Sequence, residues 1–345
     1  MTAPDYPFPA PPAPGTTREV APGVHWLRMA LPFQLDHINL WMLEDGTKQD
    51  PAWLLIDTGL GDAPTQALWE KIFAEKLDAK PVRRVLVTHY HPDHAGNAAW
   101  LCRRFEAPLW MTRGEFLTVH AARNSTAGYT TEAQLELFRA NGLDDARGAE
   151  LLLRGGLYRS MVPDFPVSHR RLYEGDSVTI GGRHWKVMIG YGHAPEHVSL
   201  HCEALNLLIS GDMLLPRIST NVAVRPIDPW SNPLRLFLES IRRYRELPAD
   251  VLVLPSHGLP FRGAHARIAQ LEAHHEERLA DLQAACAAAP RTAADVLEVL
   301  FRRKLDTSQI FFAMGEAIAH LHYLHYDGRL ARAVGSDGVA RFAPA

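Results

Sequence analysis

The segment Thr88-His89-Tyr90-His91-Pro92-Asp93-His94 limits what this chain can fold into more than any other. Four good metal ligands lie within six positions, directly after residues 82–87, a run of buried β character. Pro92 and Gly96 favour a loop over a regular helix. A tight loop at a strand end can aim alternate side chains at different centres, so one loop can serve two ions. Imidazole and carboxylate together suit zinc, iron and manganese, and zinc prefers nitrogen-rich tetrahedral sites. Histidine is abundant, 18 in 345 residues, so local density alone does not make a site. Its position after a buried strand carries the argument.

Three further ligand types sit in matching contexts. His193 follows Met188-Ile189-Gly190-Tyr191-Gly192, Asp212 follows Leu207-Leu208-Ile209-Ser210-Gly211, and His257 follows Val251-Leu252-Val253-Leu254-Pro255-Ser256. Each stands just past an apolar strand and next to glycine or within two positions of proline, where sites collect in sheets with helices outside. Singly each would more often be an ordinary loop residue; together with the first loop they form a set. Strand patterns also cover residues 20–56, 108–111, 170–172, 177–180 and 185–189, with Gly181-Gly182 as a hairpin turn. A helix is expected over residues 64–77, and helical patterns fill residues 112–160.

These motifs resemble the metallo-β-lactamase superfamily. Asp57 in DTG, the HxHxDH loop at His89–His94, the GHxPxH segment at His193, SGD at Asp212 and SHG at His257 occur in that family's order. The resemblance spans roughly residues 20–263 and implies an α+β, αββα sandwich: two mixed sheets face to face, helices outside, and a site along one edge. It replaces the doubly wound sheet that strand-end ligands alone would suggest. Carried over residue by residue, it implies one ion on His89, His91 and His193 and another on Asp93, His94 and His257, bridged by Asp212. The cofactors implied are two divalent metal ions, zinc foremost, with iron or manganese as alternatives. Asp93 and Asp212 are the catalytic candidates, and Asp57 and His197 are read as hydrogen-bonding supports of the ligands. An acidic residue at the position of His91 marks oxygen-reducing iron relatives, so that branch is disfavoured. Persulfide dioxygenase relatives keep HxHxDH with one iron and stay open as an alternative.

Three regions follow: a proline-rich arm (1–19), a catalytic domain (20–263) with a helical insertion (112–165) read as a lid, and a C-terminal domain (264–345). The long interval between His94 and His193 marks the insertion. Tyr129, Tyr191, Arg217 and Asn221 are the substrate-binding candidates; Arg217 would suit a carboxylate or phosphate. The C-terminal domain shows a long helix from His265, helical stretches at 292–300 and 308–326, and a hairpin over 329–342. That order resembles the winged-helix appendage of some family members, read here as a packing or homodimerisation element. Its one basic cluster is Arg302-Arg303-Lys304, and the histidine-rich run 320–326 reads as core.

Composition narrows the partners. A net charge of -3 with 22% charged residues offers no electrostatic drive toward nucleic acid or an anionic membrane. No apolar run reaches the ~20 residues of a membrane span. The N-terminus lacks the basic and apolar regions of a secretory signal, so a cytoplasmic location is expected. Cys102, Cys202 and Cys286 are odd in number and widely separated, which excludes a CxxC zinc site and makes a disulfide framework unattractive. The expected function is hydrolysis of a small ester, thioester, lactone or amide by metal-activated hydroxide. An endoribonuclease or phosphodiesterase of the same fold is the alternative, and it should carry a basic track to the metals. Seven intact ligands argue against a binding protein without turnover.

Overall fold

The computed structural model describes residues 4–77, 80–154, 157–302 and 304–345; Arg303 of the basic cluster lies outside them. The chain opens with β1 (Arg18–Ala21), β2 (Val24–Ala30), β3 (His37–Gly46) and β4 (Pro51–Ile56), an antiparallel meander. There follow α1 (Ala63–Lys76), β5 (Val82–Leu86), α2 (Pro92–Ala95), α3 (Ala98–Phe105), β6 (Leu109–Met111), α4 (Arg113–Arg123), α5 (Thr131–Arg139), α6 (Asp145–Arg154) and α7 (Tyr158–Met161). Next come β7 (Arg170–Arg171), β8 (Ser177–Ile180), β9 (Arg183–Gly190), β10 (His197–Cys202), β11 (Leu207–Gly211), α8 (Pro233–Arg242) and β12 (Leu252–Pro255). The C-terminal part adds α9 (Ala264–Ala288), α10 (Leu297–Leu300), α11 (Thr307–Tyr326), β13 (Leu330–Val334) and β14 (Ala340–Pro344).

Strands β1 to β7 form a seven-stranded sheet in sequence order, and β12-β11-β10-β9-β8 form a five-stranded one. Both are mixed: β4 to β7 run parallel, as do β11 and β12. The core between them takes Trp26, Trp41, Leu54, Ile56 and Leu86 from the first sheet. Trp185, Val187, Val198, Leu200, Ile209 and Leu254 come from the second. Full burial of such side chains contributes about 1.5–3 kcal/mol each. Helix α1 is started by Asp62, which accepts from the Thr65 N–H at 2.8 Å, and buries Trp69, Ile72 and Phe73. The αββα expectation therefore holds. At the β8–β9 turn, Gly181 and Gly182 have φ of 56° and 73° between the paired Ile180 and Arg183, which only glycine adopts without strain.

Close packing divides the chain into two compact units. The first holds both sheets; the second comprises Asn124–Leu157, Asn221–Glu239 and Ala269–Ala345. The stretch expected as one insertion at 112–165 is thus split, with α4 and α7 in the first unit and α5 and α6 in the second. Within the second unit, Phe138 meets Phe311 edge-on at 6.0 Å, and the Ala340 N–H donates to the Ala140 carbonyl at 2.8 Å. These contacts give residues 124–157 a core of their own with the C-terminal helices. The divide falls at Ile268, where residue 263 was expected. Helix α10 is shorter than the expected 292–300, because Thr292 and Asp295 hydrogen-bond reciprocally into a turn. Helix α11 begins with a capping box between Asp306 and Gln309. The expected hairpin is β13–β14, so the unit contains helices and a small sheet. The N-terminal arm is extended: Asp5 and Arg262 pair through both backbone bonds, and Phe8 packs against the sandwich core. Regular pairing begins earlier than expected, at Arg18.

One crossing of backbones fixes the ligand loop. A Cβ on Gly96 would lie 2.3 Å from the Gly61 nitrogen and 2.6 Å from the Gly59 carbonyl oxygen. The Asn97 N–H donates to that same Gly59 oxygen at 3.2 Å, so the turn after β4 lies directly on the loop. Gly96→Ala is expected to force the two backbones apart at a cost of about 2–3 kcal/mol. A thermal melt checks it, and an unchanged midpoint would contradict so close a crossing.

Candidate metal centre

Five chain segments converge at one edge of the sandwich. The loop after β5 supplies His89, His91, Asp93 and His94; the β9–β10 loop supplies His193. Asp212 follows β11 and His257 follows β12. Strand β4 ends in Asp57, whose φ of 61° is a left-handed conformation that aspartate tolerates. Among the described residues two groups have metal-holding geometry: His89, His91, His193 and Asp212, and Asp93, His94 and His257. Within each group the donor atoms lie within 4.8 Å of one another.

Asp212 faces both groups. Its Oδ2 lies 3.4 Å from His193 Nε2 and 4.0 Å from His89 Nε2. Its Oδ1 lies 3.4 Å from His257 Nε2 and 3.6 Å from His94 Nε2. Asp93 Oδ2 faces the same two nitrogens at 3.6 and 3.7 Å. In the first group, His89 Nε2 is 2.8 Å from His91 Nδ1 and 3.2 Å from His193 Nε2. Nitrogens crowded in this way have the arrangement of ligands around a common cation. His94 Nε2 and Asp212 Oδ1 are buried without a hydrogen-bond partner, an expensive state that a cation would relieve. The donor set therefore fits divalent ions.

Hydrogen bonds behind the ligands fix which nitrogen faces the centre. Asp57 accepts from the Thr88 N–H at 2.8 Å, and its Oδ2 holds His94 Nδ1 at 2.7 Å. The Thr88 hydroxyl reaches His89 Nδ1 at 3.0 Å. The His37 carbonyl holds His257 Nδ1 at 2.8 Å. His197 Nε2 accepts from the Asp212 N–H at 3.1 Å, and the intervening Gly211 leaves no space for a Cβ against that ring. Asp57 thus touches the His94 ring and Thr88, and His197 the backbone of Asp212.

Burial and neighbouring imidazoles push the His89 pKa well down. Burial also opposes protonation of His94, but Asp57, Asp93 and Asp212 outweigh it and raise that ring well above its ordinary value. For Asp212, burial works against the ionised form. His257 and His94 nevertheless hold the carboxyl well below its usual range. Asp212 is thus ionised, as a ligand must be, while a cation at His94 would take the place of the proton that ring now favours.

The substrate candidates are placed differently. Tyr191 is partly exposed in the β9–β10 loop, with its N–H on Ser240 Oγ at 2.9 Å. Arg217 is exposed, with its guanidinium 5.5 Å from the Tyr6 ring. Tyr129 and Asn221 belong to the second unit, where Asn221 Nδ2 donates to Glu316 at 3.0 Å. Sequence reasoning missed Thr88 and His37 as supports, and it missed Glu115. That carboxyl is fully buried and accepts from the Tyr90 and Glu196 N–H groups at 2.9 and 2.6 Å. Thr88 had a usable signal in its place between the strand and the first ligand; Glu115 had none.

Two facing sheets whose strand ends gather a double His/Asp cluster define a metallo-hydrolase fold and site. The chain belongs to the metallo-beta-lactamase superfamily, whose model matches residues 35–257. Residues 279–345 match the metallo-beta-lactamase-like C-terminal domain. A probable metallo-hydrolase of Bacillus subtilis (strain 168), YqjP, is 27% identical over 304 residues, covering 86% of this chain and 91% of that protein. A beta-lactamase domain protein from Burkholderia ambifaria is 50% identical with a TM-score of 0.92, covering 99% of this chain and 98% of that one. The metallo-beta-lactamase family protein TTHA1429 from Thermus thermophilus is 28% identical with a TM-score of 0.78, covering 95% of this chain and 100% of that one. No helix among the described residues is long and apolar enough to cross a membrane.

Proposed function

We propose that this chain is a two-metal hydrolase of small carboxylic acid derivatives: esters, thioesters, lactones or amides. In this reading His89, His91 and His193 hold one ion, Asp93, His94 and His257 hold the other, and Asp212 belongs to both. The observation that supports it most is the division of Asp212, with Oδ2 toward the first group and Oδ1 toward the second. Zinc is favoured because five of the seven donors are imidazole nitrogens. When bound, such a pair lowers the pKa of water toward neutrality and polarises a substrate oxygen.

The chain's own residues do the rest. Asp57, Thr88 and His37 orient His94, His89 and His257, so little rearrangement is needed on binding. Asp93 is the more exposed of the two catalytic carboxylates, at 17% of its side chain against 10% for Asp212. In this reading Asp93 also helps to orient the attacking water. The near-balanced charge of the chain favours a small substrate over a polynucleotide.

The test is elemental analysis of protein purified without added metal, followed by thioester, lactone, amide, phosphodiester and RNA substrates. Two zinc equivalents with turnover of a carboxylic derivative is the expected result. One iron with oxygen uptake would overturn the reading, and selective cleavage of RNA would replace its substrate.

A further inference from the structure

Glu115 lies in the first turn of α4, far in sequence from every ligand, yet it is completely buried. Its two oxygens are divided. Oε2 accepts from the Tyr90 N–H at 2.9 Å, and Oε1 from the Glu196 N–H at 2.6 Å. Tyr90 stands between His89 and His91, and Glu196 lies between His193 and His197. The partner loop returns the grip: Glu196 Oε2 accepts from the Gly114 N–H at 2.8 Å, and the Thr112 hydroxyl donates to the Glu196 carbonyl at 2.9 Å. A Cβ on Gly114 would lie 2.9 Å from the Glu196 carboxyl carbon, so a larger residue there would have to displace that side chain. A buried carboxyl accepting two backbone N–H groups is a directional connection: burial pushes its pKa up to about 8, and the two N–H groups work the other way, favouring the ionised form.

The two groups of ligands therefore differ in their supports, although Asp93 and His94 share a loop with His89 and His91. All three imidazoles of the first group lie on the two loops that Glu115 joins. In the second group His94 is held by Asp57, and His257 by the His37 carbonyl. We infer that Glu115 is a positioning residue that sets the metal affinity of the His89–His91–His193 site selectively, by clasping its two loops together. This rests on the two-metal reading above. Neither the fold nor the ligand motifs require it, because the loops could be anchored by their own backbone bonds.

The experiment is zinc titration of metal-free, full-length protein against a chromophoric chelator, for the wild type, Glu115→Gln and Glu115→Ala. His193→Ala and His257→Ala identify which binding step belongs to which site. Glutamine keeps the shape of the side chain but turns an amide N–H toward a backbone N–H, so one connection is lost. The first-site step should weaken about 10–100-fold, the usual effect of removing a ligand's outer partner, while the His257-dependent step stays within about threefold. Circular dichroism of the metal-free variants reports folding. Should Glu115→Ala fail to fold, the isosteric glutamine decides the matter. Unchanged affinities, or an equal fall at both sites, would overturn the inference while leaving the two-metal reading intact. A wild type that takes up fewer than two zinc equivalents would overturn both.

Discussion

Asp212→Ala is expected to lower kcat/KM by about a thousandfold or more, equivalent to ~4 kcal/mol of lost transition-state stabilisation. The size follows from position. One carboxylate faces His193 and His89 with one oxygen and His257 and His94 with the other. Alanine removes a ligand from both groups at once and leaves four imidazoles facing one another. Metal content should therefore fall together with activity, and elemental analysis of the variant separates this outcome from a purely kinetic defect. Retention of two metal equivalents with near-normal turnover would rule out a shared carboxylate. Asp212→Asn is a useful companion, because it preserves shape and removes the charge that a cation needs.

Asp57→Ala should have the largest effect on stability. Asp57 is 1% exposed and supports the Thr88 N–H, the Thr88 hydroxyl and His94 Nδ1. Its φ of 61° adds a conformational cost for alanine that asparagine largely avoids. Removing one partner from a buried charged network typically costs about 3–5 kcal/mol. For a domain of this size that corresponds to a fall of roughly 10 °C in melting temperature. Asp57→Asn, which keeps the backbone conformation and the Thr88 contact, should recover part of the loss. Equal melting temperatures for wild type and Asp57→Ala would show that the network contributes nothing to stability.

Much of the fold was legible because many of its strands are apolar or alternating runs that end in unusual residues. The run before Thr88, the Gly181-Gly182 turn and the apolar segments before Asp212 and His257 all correspond to β5, the β8–β9 hairpin, β11 and β12. The ligands were legible for the same reason, since each marks the end of such a strand. The rest depended on distant packing. Glu115 is one acid in a helical pattern, and nothing local indicates that its carboxyl is buried between two loops. Helix α8 starts at Pro233 after the turn-rich Pro226–Pro229 segment, which conceals the helical spacing that follows. The grouping of residues 124–157 with the C-terminal helices rests on contacts such as Gly142 against Thr292, which no single stretch of sequence reveals. Nothing in the proline-rich arm marks its anchor, because Asp5 pairs with Arg262 through the backbone alone, a bond that carries no side-chain signature.

Each ligand group also draws on both sheets. His89 and His91 come from the edge of the seven-stranded sheet, while His193 and Asp212 come from the five-stranded one. Asp93 and His94 belong to the former and His257 to the latter. A bound ion would therefore be a cross-link between layers, one that, unlike a disulfide, stabilises by its preference for the folded arrangement and not by constraining the unfolded chain. Because ions bind the folded state, free metal concentration tunes how tightly the sandwich stays closed, by RT ln(1 + [L]/Kd) at each site. Metal supply would then govern how long this protein stays folded. Chelation should loosen the layers at the edge where the strands end before it disturbs the tryptophan-rich interior.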